Sequence, residues 1–229
     1  MHKSPDALML FAAGFGTRMG ALTAACPKPL VKVAGKPLID HALEVVDTAG
    51  ISTIIANTHY LPEMLETHLA HRNVALSYEA EILETGGGLK NALPLLGTGP
   101  VFTLNTDAIW TGQNPLTALA AAWDPEKMDA LLLLVPPTNA IGHTGVGDFL
   151  MADNGTIKRG PGMIYSGAQI IKTDMLDNIT EAKFSLHSLW DQMYDGGRIF
   201  GTTHNGKWCD VGTPAGIELA ENMLGSHYV

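Results

Sequence analysis

Short apolar runs alternate with helical patterns along the first half of the chain. These runs show little alternation between apolar and polar positions, which is typical of strands that are buried on both faces of a parallel sheet. The predicted strands are Leu8–Ala12, Thr53–Asn57, Ala75–Tyr78, Val101–Asn105 and Ala130–Val135.

Helical patterns fill the segments between these strands. Leu38–Ala49 has apolar residues at helical spacing and is followed by Gly50, a common stop signal. Pro62–Leu69 begins with a proline, and Asn114-Pro115 is typical of an N-cap and first-turn pair. Alternating strands and helices predict an α/β fold with a doubly wound, mostly parallel mixed sheet and right-handed crossovers.

The second half of the chain has a different pattern. Asp153-Asn154-Gly155 is a hairpin turn signal, and Asn205-Gly206 is predicted to join a second hairpin between Arg198–Thr203 and Lys207–Val211. We therefore expect a small antiparallel insertion over about residues 139–205, after which the chain returns to the main sheet.

Length and composition fit one domain over residues 1–229, with 46% hydrophobic residues to form a core. No apolar run reaches the roughly 18 residues that a membrane span needs. The segment Met1–Asp6 lacks the features of a signal peptide, so we expect a cytoplasmic protein without a membrane partner. The two cysteines, Cys26 and Cys209, are interpreted as ordinary reduced thiols.

The formal net charge of −9 argues against a nucleic-acid partner, which would require a basic surface. The segment between Asp6 and Asp40 is nevertheless free of acidic residues. Its basic residues are Arg18, Lys28, Lys32 and Lys36. Such a segment would attract a small polyanion locally.

A glycine turn, Gly14-Phe15-Gly16-Thr17-Arg18-Met19, follows the first predicted strand. Glycines let backbone N–H groups approach a phosphate chain, while Arg18 and Lys28 supply fixed positive charge. The turn breaks the dinucleotide fingerprint, because Met19 replaces the third glycine and Asn57 stands where the ribose-binding acid belongs. It is not a Walker A loop either. The pattern predicts a nucleoside triphosphate site of another kind.

Two aspartates follow predicted strands far apart in the sequence. Asp107 ends Asn105-Thr106-Asp107, and Asp210 begins Asp210-Val211-Gly212-Thr213-Pro214. Ligands bind at the carboxyl ends of strands in open α/β sheets. Two carboxylates with phosphate oxygens and waters make a Mg²⁺ site, so we predict that both aspartates converge on Mg²⁺. A strand-end turn and a helix cap are the structural alternatives.

A run of three glycines in Glu84-Thr85-Gly86-Gly87-Gly88 precedes the predicted helical segment Leu89–Leu95. The run lacks side-chain bulk, so a flat base could lie against its backbone while exposed amides read the edge of the base. A flexible loop is the alternative.

Together these motifs resemble the sugar-1-phosphate nucleotidylyltransferases over nearly the whole chain. The matching segments are Leu10–Met19, Pro27-Lys28-Pro29-Leu30, Gly35-Lys36-Pro37-Leu38-Ile39, Asn105–Asp107 and Asp210–Pro214. Within the family, Glu84–Gly88 and Gly147-Asp148-Phe149 are similar to the short N-acetylmuramate-1-phosphate uridylyltransferases of bacterial cell-wall recycling. The resemblance implies a Rossmann-like nucleotidyltransferase fold and Mg²⁺-dependent transfer from a nucleoside triphosphate, expected to be UTP, to a sugar 1-phosphate, with release of pyrophosphate.

The resemblance also implies roles for individual residues. Arg18 and Lys28 are expected to be catalytic and to contact the phosphates, with Mg²⁺ held by Asp107 and Asp210. The nucleotide is expected to contact Ala13, Gly14, Gly16, Thr17, Glu81, Thr85, Gly86 and Gly87. The sugar is expected to contact Asn105, Asp148, Ser166 and Gly167. A monomer or small homo-oligomer is expected.

Three departures from the family pattern keep alternatives open. Phe15 replaces a polar or basic residue, Thr106 replaces a glycine, and Thr138–Val146 differs from the usual segment. A mannose-1-phosphate guanylyltransferase and a glucose-1-phosphate uridylyl- or thymidylyltransferase are therefore alternative readings. From other classes, an NAD(P)-dependent oxidoreductase and a non-catalytic nucleotide sensor are alternatives.

Overall fold

The computed structural model describes residues 4–225 of the chain. We predicted from Met1–Asp6 that the chain has no signal peptide. Residues 1–3 of that segment lie outside the described part of the chain. Within residues 4–225, no helix combines the length and the apolar character that a membrane crossing requires.

Strands and helices alternate through most of the described residues. The strands are β1 (Ala7–Phe11), β2 (Lys32–Val33), β3 (Lys36–Pro37), β4 (Thr53–Thr58), β5 (Ala75–Tyr78), β6 (Val101–Asn105), β7 (Ala108–Trp110), β8 (Ala130–Val135), β9 (Ala140–Ile141), β10 (Phe149–Met151), β11 (Ile157–Arg159), β12 (Ile164–Ile171), β13 (Ile199–Thr203) and β14 (Trp208–Asp210). The helices are α1 (Leu38–Ala49), α2 (Pro62–Leu69), α3 (Glu84–Leu96), α4 (Pro115–Ala122), α5 (Leu186–Asp195) and α6 (Pro214–Gly225).

The main sheet has seven strands in the order β13-β8-β12-β6-β1-β4-β5. All neighbouring strands in it are parallel except β12, which runs antiparallel to both β6 and β8. Helices α1, α2 and α4 bury their apolar residues against one face, and α3 and α5 bury theirs against the other. The predicted doubly wound, mostly parallel mixed sheet is confirmed.

Most element boundaries follow the sequence pattern. β5, β6, β8, α1 and α2 begin and end at the predicted residues. Asn114 caps α4 as predicted, because its Oδ1 accepts hydrogen bonds from the amides of Leu116 and Thr117. The hairpin at Asp153–Gly155 forms between β10 and β11.

The predicted second hairpin is wrong. β13 joins the main sheet parallel to β8, whereas β14 lies in a small sheet between β7 and β9. The Asn205-Gly206 turn therefore connects two sheets, because a turn signal reverses the chain but does not choose its pairing partner. Within the expected insertion over residues 139–205, β10 and β11 form a small antiparallel sheet, whereas β12 and β13 are strands of the main sheet.

A buried histidine lies where β13 leaves the main sheet. His204 is 1% exposed, its Nε2 is 3.1 Å from the Thr111 carbonyl oxygen, and its ring meets Trp110 edge to face. Burial lowers the pKa of His204 below its ordinary value of 6.5, against the opposing effect of the Thr111 hydrogen bond. The folded chain thus holds this histidine neutral at a pH where the unfolded chain binds a proton.

We expect the free energy of unfolding to fall as the pH falls from about 6.5 towards the lowered pKa of His204, by about 1.4 kcal/mol for each unit of separation between folded and unfolded pKa. Above about pH 6.5 this residue contributes no pH dependence. Urea unfolding between pH 7.5 and pH 5 measures the slope, which should be shallower in His204→Gln. The matched control His71→Gln changes an exposed histidine and should keep the wild-type slope. Equal slopes in wild type and His204→Gln would contradict the assignment.

Candidate active site

The small sheet of β7, β14 and β9 brings the two predicted aspartates together. Asp107 follows β6 and directly precedes β7, and Asp210 is the last residue of β14. β14 pairs with β7 so that Asp210 lies opposite Ala108, and the Val211 amide donates to the Asp107 carbonyl oxygen at 2.8 Å. Asp107 and Asp210 are thus neighbours across two paired strands.

Two basic side chains reach these carboxylates. Lys28 Nζ lies 2.5 Å from Asp107 Oδ2, and Arg18 Nη1 lies 3.8 Å from Asp210 Oδ2. Burial raises the pKa of the Asp210 carboxyl above its ordinary value, the nearby Asp107 carboxylate adds to that rise, and Lys28, Arg18 and His143 oppose it. The structure therefore brings all four predicted side chains to one place, while their catalytic roles stay predictions.

The glycine turn packs directly on the lysine. Gly16 has φ 64°, a left-handed conformation that suits glycine, and a Cβ there would lie 2.8 Å from Lys28 Cβ. The Thr23 hydroxyl donates to the Gly16 carbonyl oxygen at 2.9 Å. Pro27 precedes a short 3₁₀ turn, Lys28–Leu30, whose Leu30 amide donates to the Pro27 carbonyl oxygen. These contacts fix the loop and Lys28 relative to each other.

A cleft of about 310 Å³ opens beside these charges at the carboxyl ends of β1 and β6. Most predicted nucleotide and phosphate residues line it. Those that do are Ala13, Gly14, Gly16, Thr17, Arg18, Lys28 and Thr85. The cleft is also lined by Asn105, predicted as a sugar contact, and by Asp107, predicted as a Mg²⁺ ligand. The strand-end rule thus located the cleft correctly.

Gly86 and Gly87 were expected to contact the nucleotide, but neither residue lines the cleft. Both belong to α3, both are buried, and both amides donate to the Phe184 carbonyl oxygen, at 2.9 and 3.0 Å. A Cβ at Gly87 would overlap the Ala182 carbonyl oxygen. The glycines therefore allow the 182–184 segment to pack against α3, and the expectation that their amides read the base is corrected.

Sequence reasoning missed a buried carboxylate in the cleft. Glu79 follows β5, is 1% exposed and lines the cleft, whereas the predicted Glu81 is exposed and does not. Glu79 Oε1 accepts from Asn57 Nδ2 at 2.7 Å, and its Oε2 accepts from the Leu83 amide at 3.0 Å. Asn57 Oδ1 in turn accepts from the Ala12 amide at 2.7 Å. The strand-end argument used for Asp107 would have found Glu79 if applied to β5.

The other predicted sugar contacts lie around β12. Asp148 is exposed, and its Oδ2 accepts from the Tyr165 amide at 2.8 Å. Gly167 packs against Asn105, since a Cβ there would lie 2.7 Å from Asn105 Nδ2. Ser166 is 1% exposed, does not line the cleft, and donates its hydroxyl to the Leu133 carbonyl oxygen. Asn105 lines the cleft, Gly167 packs against Asn105 without lining the cleft, and the geometry gives no support for Ser166 as a sugar contact.

Comparisons with known proteins place this arrangement in a family. A family model described as the MobA-like NTP transferase domain matches residues 8–143, more than half of the chain. The chain is 39% identical to the N-acetylmuramate alpha-1-phosphate uridylyltransferase of Caulobacter vibrioides, over 98% of this chain and 99% of that protein. The chain belongs to the sugar-1-phosphate nucleotidylyltransferases of the MobA-like NTP transferase family.

Two further similarities agree with this membership. The chain is 35% identical to the N-acetylmuramate alpha-1-phosphate uridylyltransferase of Neisseria meningitidis serogroup B, over 95% of this chain and 98% of that protein. The crystal structure of HddC from Yersinia pseudotuberculosis, complexed with GMP-PN, superposes with a TM-score of 0.78. That match covers 95% of this chain and 99% of HddC at 21% identity, which shows a shared fold.

The donor set of this nucleotidylyltransferase fits a divalent cation that binds together with phosphates. Among residues 4–225, no group of three or more His, Cys, Asp or Glu side chains is arranged to hold a metal. Asp107 and Asp210 supply two carboxylates, and burial together with the Asp107 carboxylate raises the pKa of Asp210. Two carboxylates plus substrate phosphates are a usual Mg²⁺ environment.

Proposed function

We propose that this nucleotidylyltransferase transfers a uridylyl group from UTP to N-acetylmuramate 1-phosphate and releases pyrophosphate, with Mg²⁺ as cofactor. The observation that carries the proposal is the pairing of Lys28 with Asp107 next to Arg18 and Asp210, at the mouth of the cleft. The choice of substrates is supported by the name that the two near-full-length relatives from Caulobacter and Neisseria share.

Chemistry in such a site depends on positioning and on charge neutralisation. A phosphate oxygen of the sugar 1-phosphate attacks the α-phosphorus of UTP. A new P–O bond forms, the bond from the α-phosphorus to the bridging oxygen breaks, and pyrophosphate leaves with that electron pair. The nucleophile is already anionic, so no strong general base is needed. Lys28 contacts the α-phosphate and the incoming phosphate, and Arg18 contacts the β- and γ-phosphates.

Asp107 and Asp210 are the residues that would hold Mg²⁺. When bound, the ion supplies positive charge that offsets the repulsion between two phosphate groups and orients them. Lys28 also pairs with Asp107, and this contact fixes the ammonium group at the same edge of the cleft.

Glu79 is assigned to the base in place of Glu81. Each carboxylate oxygen of Glu79 accepts one protein hydrogen bond and keeps acceptor capacity for the N3–H group of uracil. Glu79→Gln replaces one acceptor with an N–H donor, so we expect the KM for UTP to rise about tenfold, the usual scale of a lost hydrogen bond to a charged group. Steady-state pyrophosphate release at saturating sugar phosphate measures it.

Glu81→Gln is the matched control, because Glu81 is exposed and lies outside the cleft lining. Its KM for UTP should equal that of the wild type. A raised KM in Glu81→Gln, with Glu79→Gln unaffected, would return the base contact to Glu81.

A pyrophosphate-release matrix tests the proposed function. It combines UTP, GTP, CTP and ATP with the 1-phosphates of N-acetylmuramate, N-acetylglucosamine, glucose and mannose, each with and without Mg²⁺. The highest kcat/KM is expected for UTP with N-acetylmuramate 1-phosphate. A maximum for GTP with mannose 1-phosphate would replace the proposal with a guanylyltransferase. Nucleotide binding without turnover in any combination would identify a nucleotide sensor.

A further inference from the structure

A second cavity of about 330 Å³ has aromatic walls. Its lining residues are Gly147, Asp148, Phe149, Arg159, Tyr165, His187 and Trp190. The ring of Trp190 is the centre of the wall. Tyr165 and Phe149 meet it edge to face, and His187 stacks on it with ring centroids 4.9 Å apart. Apolar walls with a few polar groups are typical of small-ligand sites.

Buried hydrogen bonds hold the Trp190 wall in place. The Trp190 indole N–H donates to Gln169 Oε1 at 3.0 Å, and Gln169 Nε2 donates to Thr103 Oγ1 at 3.1 Å. Gln169 and Thr103 are fully buried on the paired strands β12 and β6. Trp190 belongs to α5, and these hydrogen bonds tie its ring to buried residues of the main sheet.

Two contacts link the walls of the second cavity to the walls of the cleft. In the first, Asn105 lines the cleft and packs against Gly167, and Tyr165 lies two residues earlier on the same strand. In the second, Thr85 lines the cleft and its Oγ1 accepts from the Leu186 amide at 3.1 Å, next to His187. A sugar whose phosphate is in the cleft can thus extend a ring substituent into the second cavity.

Arg159 is half-exposed and lines the second cavity, and it also lines a neighbouring surface cavity together with its partners Asp191 and Tyr194. Its guanidinium binds Asp191 Oδ1 through Nη2 at 2.7 Å and lies over the Tyr194 ring at 5.3 Å, so its plane is held from two directions. A guanidinium has five N–H donors in a fixed fork, and this ion pair engages one nitrogen. The remaining donors suit a planar carboxylate.

We propose that the second cavity binds the carboxylate-bearing ether substituent of the sugar 1-phosphate and that Arg159 is the residue that selects an acidic sugar over a neutral one. The inference rests on the proposed function, because N-acetylmuramate differs from N-acetylglucosamine by a lactyl ether with a carboxylate. Asp148, which also lines the second cavity, keeps an acceptor for hydroxyl or amide N–H groups of the ring.

The test compares N-acetylmuramate 1-phosphate with its lactyl carboxamide analogue, which has the same size and no charge. The wild-type kcat/KM should favour the carboxylate by about tenfold or more, the scale of a charge-assisted contact, and Arg159→Gln should remove this preference. Lys158→Gln is the matched control, since Lys158 neighbours Arg159 but does not line the second cavity. It should keep the wild-type preference. Thermal unfolding checks that both variants fold.

Asp191→Asn adds a readout that a structural ion pair would not give. It removes the carboxylate that competes for Arg159, so the preference for the charged sugar should persist or increase. Loss of the preference in Asp191→Asn would mark the pair as structural and overturn the inference. The inference would also be overturned if Arg159→Gln kept the preference or if the wild type lacked it. In either case the uridylyltransferase function would stand. Turnover of neither sugar by the wild type would overturn the proposed function and the inference with it.

Discussion

Lys28→Ala should lower kcat for pyrophosphate release at least ~100-fold, with the overall fold retained. Lys28 is only 12% exposed, and its ammonium sits against Asp107 at the edge of the cleft, where the reacting phosphates are assigned. Negative charge increases there as the incoming phosphate approaches the α-phosphorus, and a preorganised cation removes that cost. Loss of one such contact usually lowers turnover about 10²- to 10³-fold, which corresponds to about 2.7–4 kcal/mol.

Lys32→Ala is the matched control for Lys28. Lys32 belongs to the same acid-free segment but is exposed and lies outside the cleft lining. Its removal changes the net charge equally, so turnover near the wild-type value would separate a local effect of Lys28 from a general loss of charge. A Lys28→Ala enzyme within about tenfold of wild-type turnover would place Lys28 outside the reaction.

The segments around Lys28 and Asp107 show how far sequence reasoning reaches. Asp107 was predictable, because a buried apolar strand ends just before it and ligands bind at such ends. The strand pairing that joins Asp107 to Asp210 was not predictable, since β7 has three residues and no pattern of its own. The convergence of the two aspartates was predicted from their strand-end positions and the needs of a Mg²⁺ site, and the β7–β14 pairing is its structural cause.

The glycines of α3 show where sequence reasoning fails. Three consecutive glycines have low helix propensity and predict a loop. In the folded chain Gly86 and Gly87 are buried in α3, because the backbone around Phe184 packs where side chains would stand. That segment lies far away in the sequence, so no local pattern reveals the contact. The same holds for β12, whose antiparallel direction in a parallel sheet depends on pairing with β6 and β8.

Asp107→Asn and Asp210→Asn should each lower Mg²⁺-dependent turnover by at least ~100-fold, because each removes a charged oxygen ligand while it preserves side-chain shape. The apparent dissociation constant for Mg²⁺, measured in the presence of a non-hydrolysable UTP analogue, should rise in both variants. Asp107 also pairs with Lys28, so loss of turnover alone would not separate the two roles. An unchanged Mg²⁺ affinity in Asp107→Asn would assign Asp107 to holding Lys28.

Asp40→Asn is the control for both aspartates. Asp40 is half-buried, its Oδ1 lies within hydrogen-bond distance of His68 Nε2 at 2.9 Å, and it is on α1 outside the cleft lining. Asp40→Asn should keep the wild-type turnover and Mg²⁺ affinity. That result would show that the loss of a hydrogen-bonded carboxylate away from the cleft does not affect catalysis. Burial and the neighbouring Asp107 carboxylate raise the pKa of Asp210, and a bound cation would counter both effects. Near-normal rates in both site variants would therefore contradict the metal assignment directly.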